Sequence, residues 1–153
     1  MTDALAAAQD AITQARMALE HIGRHVAKKV VVDDRVDTER LNHIQPEAFQ
    51  IARHLAQITA AETMLPWARK QGEHEQELTQ LYCAMACADL ARWTRFNEPQ
   101  LGLDAAGFDG MDDDFMTTTL ATQRISAIGE AVIEREALPA GHYGHSEMHQ
   151  MVQ

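Results

Sequence analysis

Residues 37–96 read DTERLNHIQPEAFQIARHLAQITAAETMLPWARKQGEHEQELTQLYCAMACADLARWTRF, and this stretch decides the fold. Apolar residues recur at helical spacing on both sides of Gly72, which predicts two long helices joined as a hairpin. The apolar positions of the first arm are Leu41, Ile44, Ala48, Ile51, Leu55, Ile58 and Leu65. Those of the second arm are Leu78, Leu81, Tyr82, Met85 and Leu90. We therefore expect this hairpin at the centre of an all-α protein.

Two prolines and a glycine set the expected boundaries within the hairpin. Asp37 is suited to cap a helix, and Pro46 should start a new helix or kink the old one, because proline lacks an amide donor. Pro66 raises the same problem further on, and Gly72 is expected to stop the second helix. The expected helices are 38–43, 47–70 and 73–96.

The segment before the hairpin predicts one more long helix, from residue 3 to residue 29. Its apolar positions alternate steps of three and four, and they are Leu5, Ala8, Ile12, Ala15, Leu19, Ile22, Val26 and Val30. The next residues, Val30 to Val32, could form an extended segment. The sequence offers no obvious second strand to pair with it, so we interpret it as a loop or a frayed helix end.

After the hairpin, residues 97–112 are rich in Pro, Gly and Asp and predict a structured loop held by apolar side chains at Leu101, Leu103 and Phe108. A fourth helix is expected from Asp112 or Asp113 to Ala137. Its predicted buried positions are Met116, Leu120, Ala121, Ile125, Ile128 and Val132. The predicted fold is an antiparallel bundle of four main helices plus a short C-terminal helix.

That short helix starts at Ser146, and its pattern is unfinished at Gln153. An isolated helix of about two turns is marginal. We therefore expect a helical bundle domain at residues 1–144, and at 145–153 the start of a further helix of a longer protein. An ordinary frayed terminus is the alternative.

Composition limits the classes of function. Lys and Arg number 13 against 23 Asp and Glu, giving a net charge of -10, which opposes binding to nucleic acid or anionic lipid. The longest aliphatic run is Val30 to Val32, and the first residues lack the pattern of a signal peptide. We expect a cytoplasmic protein without a membrane segment. Cys83 and Cys87, four residues apart on one predicted helix, should be reduced thiols that pack as small apolar groups.

The amino-acid sequence contains no strong metal-binding or catalytic motif. No Glu is followed by His three residues later, so the di-iron motif of helical bundles is missing from the sequence. His21 and His25 share one helix face and could bind a metal with His54 or Glu62. We prefer to interpret them as polar flanks of the buried stripe.

Other candidates are explained more simply by structure. The denser cluster of His142, His145, Glu147 and His149 matches no known spacing, and the acids at 109–114 suit helix capping rather than a calcium loop. Ser126 and Ser146, the only serines, lack a nucleophile elbow. The aromatic residues Trp67, Trp93 and Phe96 could form a pocket, although we expect them to seal the core. We predict no catalytic, cofactor-binding or metal-binding residue in this chain.

Several short segments resemble a known family. They are Val36-Asp37, Glu47-Ala48-Phe49, Met64-Leu65-Pro66-Trp67-Ala68, Asn97-Glu98-Pro99-Gln100-Leu101-Gly102-Leu103 and the helix start at residues 146–153. Together they are similar to the N-terminal helical extension found in a subgroup of acyl-CoA dehydrogenases that includes the methylsuccinyl-CoA dehydrogenase type. The His-rich loop at 142–149 departs from that pattern, and the match weakens through residues 105–125.

The resemblance implies a non-catalytic accessory domain that packs on a dehydrogenase core or a partner subunit, with homo-oligomers possible. Enzymes of that family hold FAD and a catalytic glutamate in the core, which would lie beyond Gln153, so no such residue is transferred to this chain. The alternative is a free-standing helical bundle that acts as a protein-interaction module through an exposed apolar face.

Overall fold

The structure, a computed structural model, describes residues 5–103 and 113–134. As the sequence predicts, the protein is an all-α antiparallel bundle; the described residues also contain one small β-hairpin, which was not predicted from the sequence. Its elements in chain order are α1 Ala6–Val30, β1 Val31–Val32, β2 Arg35–Val36, α2 Thr38–His43, α3 Gln45–Ala68, α4 Glu73–Arg95, α5 Glu98–Leu101, α6 Asp113–Thr119 and α7 Thr122–Glu134. The predicted fifth helix at 145–153 lies outside the described residues.

Helix α1 behaves as its sequence pattern predicts. Every position of the predicted stripe is buried, and none is more than 6% exposed. The first part of this stripe packs against α3 and α4 and forms the main core with them. Its last part, including Ile22 and Val26, forms a second cluster with Leu101 and Leu103. The expected anchoring of the 97–112 loop by Leu101 and Leu103 is therefore confirmed, while Phe108 lies outside the described residues.

Helices α3 and α4 form the predicted hairpin, with two differences at the turn. Helix α3 ends at Ala68 rather than Lys70, and Gly72 precedes α4 instead of stopping α3. Gly72 has φ -74 and ψ 176, an extended conformation, so the left-handed stop expected for it is wrong. Pro66 is accommodated in the last turn of α3.

The inward face of the hairpin is also different from the one predicted. Leu55 is 41% exposed and Met85 is 56% exposed, although both were expected in the core. Leu90 is buried as predicted, whereas the other buried positions of α4 are small or polar, and they include Thr79, Cys83, Ala84, Ala86 and Cys87. Since small side chains allow neighbouring helices to approach closely, α4 can pack against α1 and α3 at the same time.

The segment after α1 is a β-hairpin, so its interpretation as a loop or frayed helix is wrong. Val31 pairs with Val36 and Val32 pairs with Arg35 in an antiparallel ladder. The two residues between the strands, Asp33 and Asp34, have φ of 48° and 57°. Positive φ at both central residues is typical of a type I′ turn, a conformation that Asp tolerates better than most residues.

The predicted start signals of α2 and α3 are confirmed. The backbone N–H of Arg40 donates to Oδ1 of Asp37 at 3.0 Å, which makes Asp37 the N-cap of α2. A new helix does begin next to Pro46, at Gln45, two residues earlier than expected. Proline fits there because the first amides of a helix have no partner within it.

The expected single fourth helix is wrong, because it is divided into α6 and α7. Helix α6 ends at Thr119, and the amide of Arg124 bonds to the carbonyl of Ala121 as α7 begins. The three consecutive threonines at 117–119 weaken the helix, since β-branched hydroxyl side chains lose rotamers and compete for backbone hydrogen bonds. As a consequence Ala121 and Ile125 are exposed, and of the predicted stripe Met116 and Ile128 are buried.

None of the helices in residues 5–103 and 113–134 has the length and apolar character needed to cross a membrane.

Candidate functional site

A groove of about 420 Å³ lies between the C-terminal half of α4 and helix α6. Its lining residues come from both helices, and they are Ala88, Ala91, Arg92, Arg95, Phe96, Met116, Thr117 and Leu120. A volume of this size is within the range of binding pockets. We therefore take this groove, which is named the α4–α6 groove below, as the candidate site.

One wall of the groove is formed by α4, and an exposed strip of this helix continues beyond the groove to Met85. Met85, Ala88, Arg92 and Phe96 follow one another at helical spacing, with steps of three, four and four residues. Phe96 is 77% exposed and Met85 is 56% exposed. The expectation that Phe96 seals the core is therefore wrong. This side chain stands at the end of α4 and contributes an exposed aromatic surface to the groove.

The other wall is held in place by contacts of α6 with the core. Phe115 and Met116 are each 8% exposed and belong to the main core, and Thr119 is 2% exposed. These contacts leave Thr117 and Leu120 at the groove. Beyond the break, the side chain of Arg124 on α7 donates to Oε1 of Gln80 on α4. The α6–α7 unit is thus fixed to α4 at both ends of the break.

The two arginines of the groove are exposed and lack charged partners within the described part of the chain. Other arginines form ion pairs, and the pairs are Arg16–Glu62, Arg24–Glu20, Arg40–Asp37 and Arg53–Asp89. Arg92 and Arg95 lie three residues apart on one face of α4 and make neither an ion pair nor a hydrogen bond to another described residue. In a chain with a net charge of -10, this is a local positive site beside an apolar surface.

An aromatic pair connects α3 and α4, and it consists of the buried His54 and the half-buried Trp93. The His54 ring stacks on Trp93, with ring centroids 5.2 Å apart and an interplanar angle of 29°. Gln57 turns its Nε2 toward Asp89, so its Oε1 accepts from Nδ1–H of His54 at 3.1 Å. The other ring nitrogen, Nε2, is buried without a hydrogen-bond partner. Neutral His54 fits this environment, since its protonation at Nε2 would leave a buried donor unpaired.

This geometry predicts a pH-dependent stability. Burial lowers the pKa of His54, the neighbouring Arg53 lowers it further, and the bond to Gln57 and the charge of Asp89 oppose the change. The unfolded chain therefore takes up a proton more readily than the folded one as pH falls below about 6.5. The stability contributed by neutral His54 is complete above that pH and is lost at lower pH. In urea unfolding between pH 7.5 and 5, the free energy of unfolding should fall less steeply for His54→Phe than for the wild type.

The control for this prediction is His43→Gln, because His43 is exposed at the end of α2. That variant should keep the slope of the wild type. An equal slope in His54→Phe and the wild type would contradict the role assigned to His54.

The two cysteines are free and fully buried in the main core, as the sequence predicts. Burial raises the pKa of both thiols to about 12, and for Cys83 the proximity of Cys87 adds to it. Near pH 8, only about one thiol in ten thousand would then be ionised. The thiolate is the reactive form, so these cysteines are packing groups rather than nucleophiles.

A chemical test follows from this burial. Native protein at pH 8 should react with a thiol-specific reagent such as Ellman's reagent only as fast as the chain opens. In guanidinium chloride the same protein should release two equivalents at once, because its two cysteines become exposed. Rapid stoichiometric labelling of native protein would contradict the packing role.

The residues considered for a metal site are placed in separate environments. Nε2 of His21 donates to the carbonyl oxygen of Gly102 at 3.1 Å, and His25 packs against the same glycine. Glu62 instead forms an ion pair with Arg16, which lowers the pKa of the Glu62 carboxyl. In residues 5–103 and 113–134, no three His, Cys, Asp or Glu side chains come together as a group that could hold a metal ion.

The remaining candidates divide between packing positions and undescribed residues. Trp67 and Trp93 pack against the main core, as expected. Ser126 is exposed on α7. The predicted cluster of His142, His145, Glu147 and His149, together with Ser146 and the acids at 109–112, lies outside the described residues.

No protein-family model matches the chain, and no curated protein or solved structure is similar enough to match it. The site therefore has to be interpreted from its own geometry. What the α4–α6 groove offers chemically is an apolar floor, an exposed aromatic ring and two guanidinium groups. Such a surface can bind a partner, and its described lining residues include no carboxyl, imidazole or thiol group.

Proposed function

We propose that this chain is a non-catalytic helical domain that works by packing against another protein surface. The observation that carries the proposal is the exposed face of α4, where Met85 and Phe96 are uncovered next to the α4–α6 groove. Aromatic residues, methionine and arginine are the side chains enriched in protein interfaces. Here all three types are gathered on one helix face.

For the partner, we propose the core of an acyl-CoA dehydrogenase-like flavoenzyme, to which this domain would be an N-terminal accessory domain. The support is the sequence resemblance of the segments quoted above. Several of them fall at helix ends in the structure, including Met64–Ala68 at the end of α3 and Asn97–Leu103 around α5. In this proposal the parent enzyme is cytoplasmic, and its core supplies FAD and the acyl-CoA chemistry while the bundle shapes or supports that core.

The proposal is tested first by the reading frame downstream of codon 153 and by the isolated chain. A frame that continues into a flavin-binding dehydrogenase core is the expected result. After incubation with FAD and removal of the free cofactor by dialysis, the isolated chain should retain no stoichiometric flavin, as measured by absorbance. It should also not oxidise an acyl-CoA. Stoichiometric FAD binding or acyl-CoA oxidation by the isolated chain would overturn the proposal of a non-catalytic domain.

A matched pair of variants then tests the packing surface. Phe96→Ser should weaken the attachment of the bundle to its core in the full-length protein, measured as faster release of the two parts after limited proteolysis. The melting temperature of the isolated bundle should stay unchanged, since Phe96 is 77% exposed. Phe49→Ser is the control, because Phe49 is 67% exposed on α3 and does not line the groove. Equal effects of both variants would contradict the assignment of this face.

The second candidate is a free-standing interaction module, favoured by a groove whose walls both come from the described residues of this one chain. A stop codon directly after codon 153 would favour it over the accessory domain. The homo-oligomer is the third arrangement, and light scattering of the purified chain distinguishes it by mass.

A further inference from the structure

We infer that the α4–α6 groove binds an amphipathic helix that carries acidic residues beside its apolar face. This inference rests on the proposed packing function and adds the chemistry of the partner. It depends on three features: the length of the exposed surface of α4 from Met85 to Phe96, the apolar residues of the groove, and Arg92 and Arg95.

The length of the strip suits a helix. Phe96 follows Met85 by eleven positions, which corresponds to about 16 Å along α4 at 1.5 Å per residue, and the part from Ala88 to Phe96 lines the groove. A partner helix lying along this distance would make contact over about three turns, enough for three or four anchoring side chains. Helix-in-groove binding uses residues at i, i+3, i+4 and i+7, and the residues of α4 that line the groove, from Ala88 to Phe96, have this spacing too.

The apolar residues provide the anchoring surface. Between α4 and α6 the groove is lined by the small side chains of Ala88 and Ala91. Larger apolar side chains lie on its two sides, with Phe96 from α4 and Met116 and Leu120 from the α6 side. Because alanine side chains are small, a second helix can approach the backbone of α4 closely at these positions. The exposed ring of Phe96 provides the large contact area typical of interface hot spots.

The arginines define the charge of the partner. Arg92 and Arg95 both line the groove, and both lack ion pairs within the described residues. A guanidinium group binds a carboxylate through two parallel hydrogen bonds, so acidic side chains flanking the apolar face of the partner would complement them. An anionic membrane surface is the less suitable partner, because the chain as a whole has a net charge of -10 and is repelled by it.

The test uses a displayed library of helical peptides about 18 residues long, a length at which helices become stable enough to bind as such. The library fixes leucine at positions i, i+3, i+4 and i+7 and randomises the flanking positions among Glu, Lys and Gln. Peptides are selected separately on the wild type, on Arg92→Glu/Arg95→Glu and on Arg35→Glu/Lys70→Glu. The last variant is the control, because it reverses two exposed charges away from the groove and gives the same net charge.

The expected result is a selection for Glu by the wild type and by the control, and for Lys by Arg92→Glu/Arg95→Glu. The peptide enriched most by the wild type should bind the groove variant at least about tenfold more weakly, measured by fluorescence anisotropy. Circular dichroism should show the same helix content in all three proteins, since none of the substituted side chains is buried.

Three results would overturn the inference: no enrichment, the same flanking charges selected by all three proteins, or equal loss of affinity in the control. Peptides that bind the wild type and the groove variant equally well would place the docking surface elsewhere. In that case the inference fails while the proposed packing function stands. Failure of the Phe96→Ser test together with an absence of enriched peptides would remove both.

Discussion

Replacing Leu65 by alanine is expected to lower the free energy of unfolding by about 2 to 5 kcal/mol, the range typical of cavity-forming substitutions in a core. Leu65 on α3 is 0% exposed and belongs to the main core with Leu90 of α4 and residues of α1. The substitution removes buried apolar surface and leaves a space that the surrounding helices fill only in part. A domain of this size has a total stability of about 5 to 15 kcal/mol, so the loss is a large share of it.

The matched control is Leu55→Ala, the same substitution three turns earlier on the same helix. Leu55 is 41% exposed, so its truncation should cost less than about 1 kcal/mol. The difference between the two variants, measured by urea unfolding, removes the helix propensity of alanine from the comparison because both sites lie inside α3. Equal losses at Leu55 and Leu65 would mean that the buried face of α3 is assigned wrongly.

This pair also illustrates how far the sequence predicts the core. Every predicted stripe position of α1 is buried, because one face of that helix carries aliphatic side chains and the opposite face is largely polar; the buried Ala11 was not predicted. On α4 the spacing of the large apolar side chains does not identify the whole buried face. Met85 is exposed, while Cys83, Ala84 and Cys87 are buried. When the buried face of a helix is made of small residues, the spacing of its large residues no longer marks the core.

The β-hairpin was missed for a different reason. Its strands are only two residues long and all their side chains are exposed, so they have no hydrophobic alternation to detect. The useful signal was Asp33-Asp34, a pair that tolerates the positive φ of a type I′ turn, placed between Val31-Val32 and Arg35-Val36. Local turn chemistry, rather than periodicity, would have predicted this element.

The groove could not be predicted from the sequence, because it depends on where α6 packs. A single fourth helix with the predicted stripe would have placed Ala121 and Ile125 in the core. Instead α6 ends at Thr119, α7 begins at Thr122, and Leu120 lies between them at the groove. The sequence also does not distinguish the arginines from one another, whereas in the structure Arg53 pairs with Asp89 and Arg92 has no ion-pair partner among the residues that the structure describes. Which charges are left for a partner is decided by tertiary packing.

The second large effect is expected at Gly102, where α5 is held against α1. Gly102 has φ +70, a left-handed conformation that costs a residue with a side chain about 1–2 kcal/mol. A Cβ added there would also lie 2.2 Å from Nδ1 of His25, closer than any normal contact. Gly102→Ala is therefore expected to lose at least about 2 kcal/mol of stability in this region. The measurement is urea unfolding combined with hydrogen exchange at the amide of Leu101, which bonds to the carbonyl of Asn97.

Two further variants separate the causes of this loss. Gly23→Ala, on α1, meets nothing within 4 Å and should raise stability by about 0.5 to 1 kcal/mol, because alanine favours the helix. Combining Gly102→Ala with His25→Ala removes the contact and keeps the backbone strain, so about half of the loss should be recovered. Full recovery would mean that the left-handed backbone costs nothing. No recovery would mean that the His25 ring moves aside at little cost and that the loss comes from the left-handed backbone.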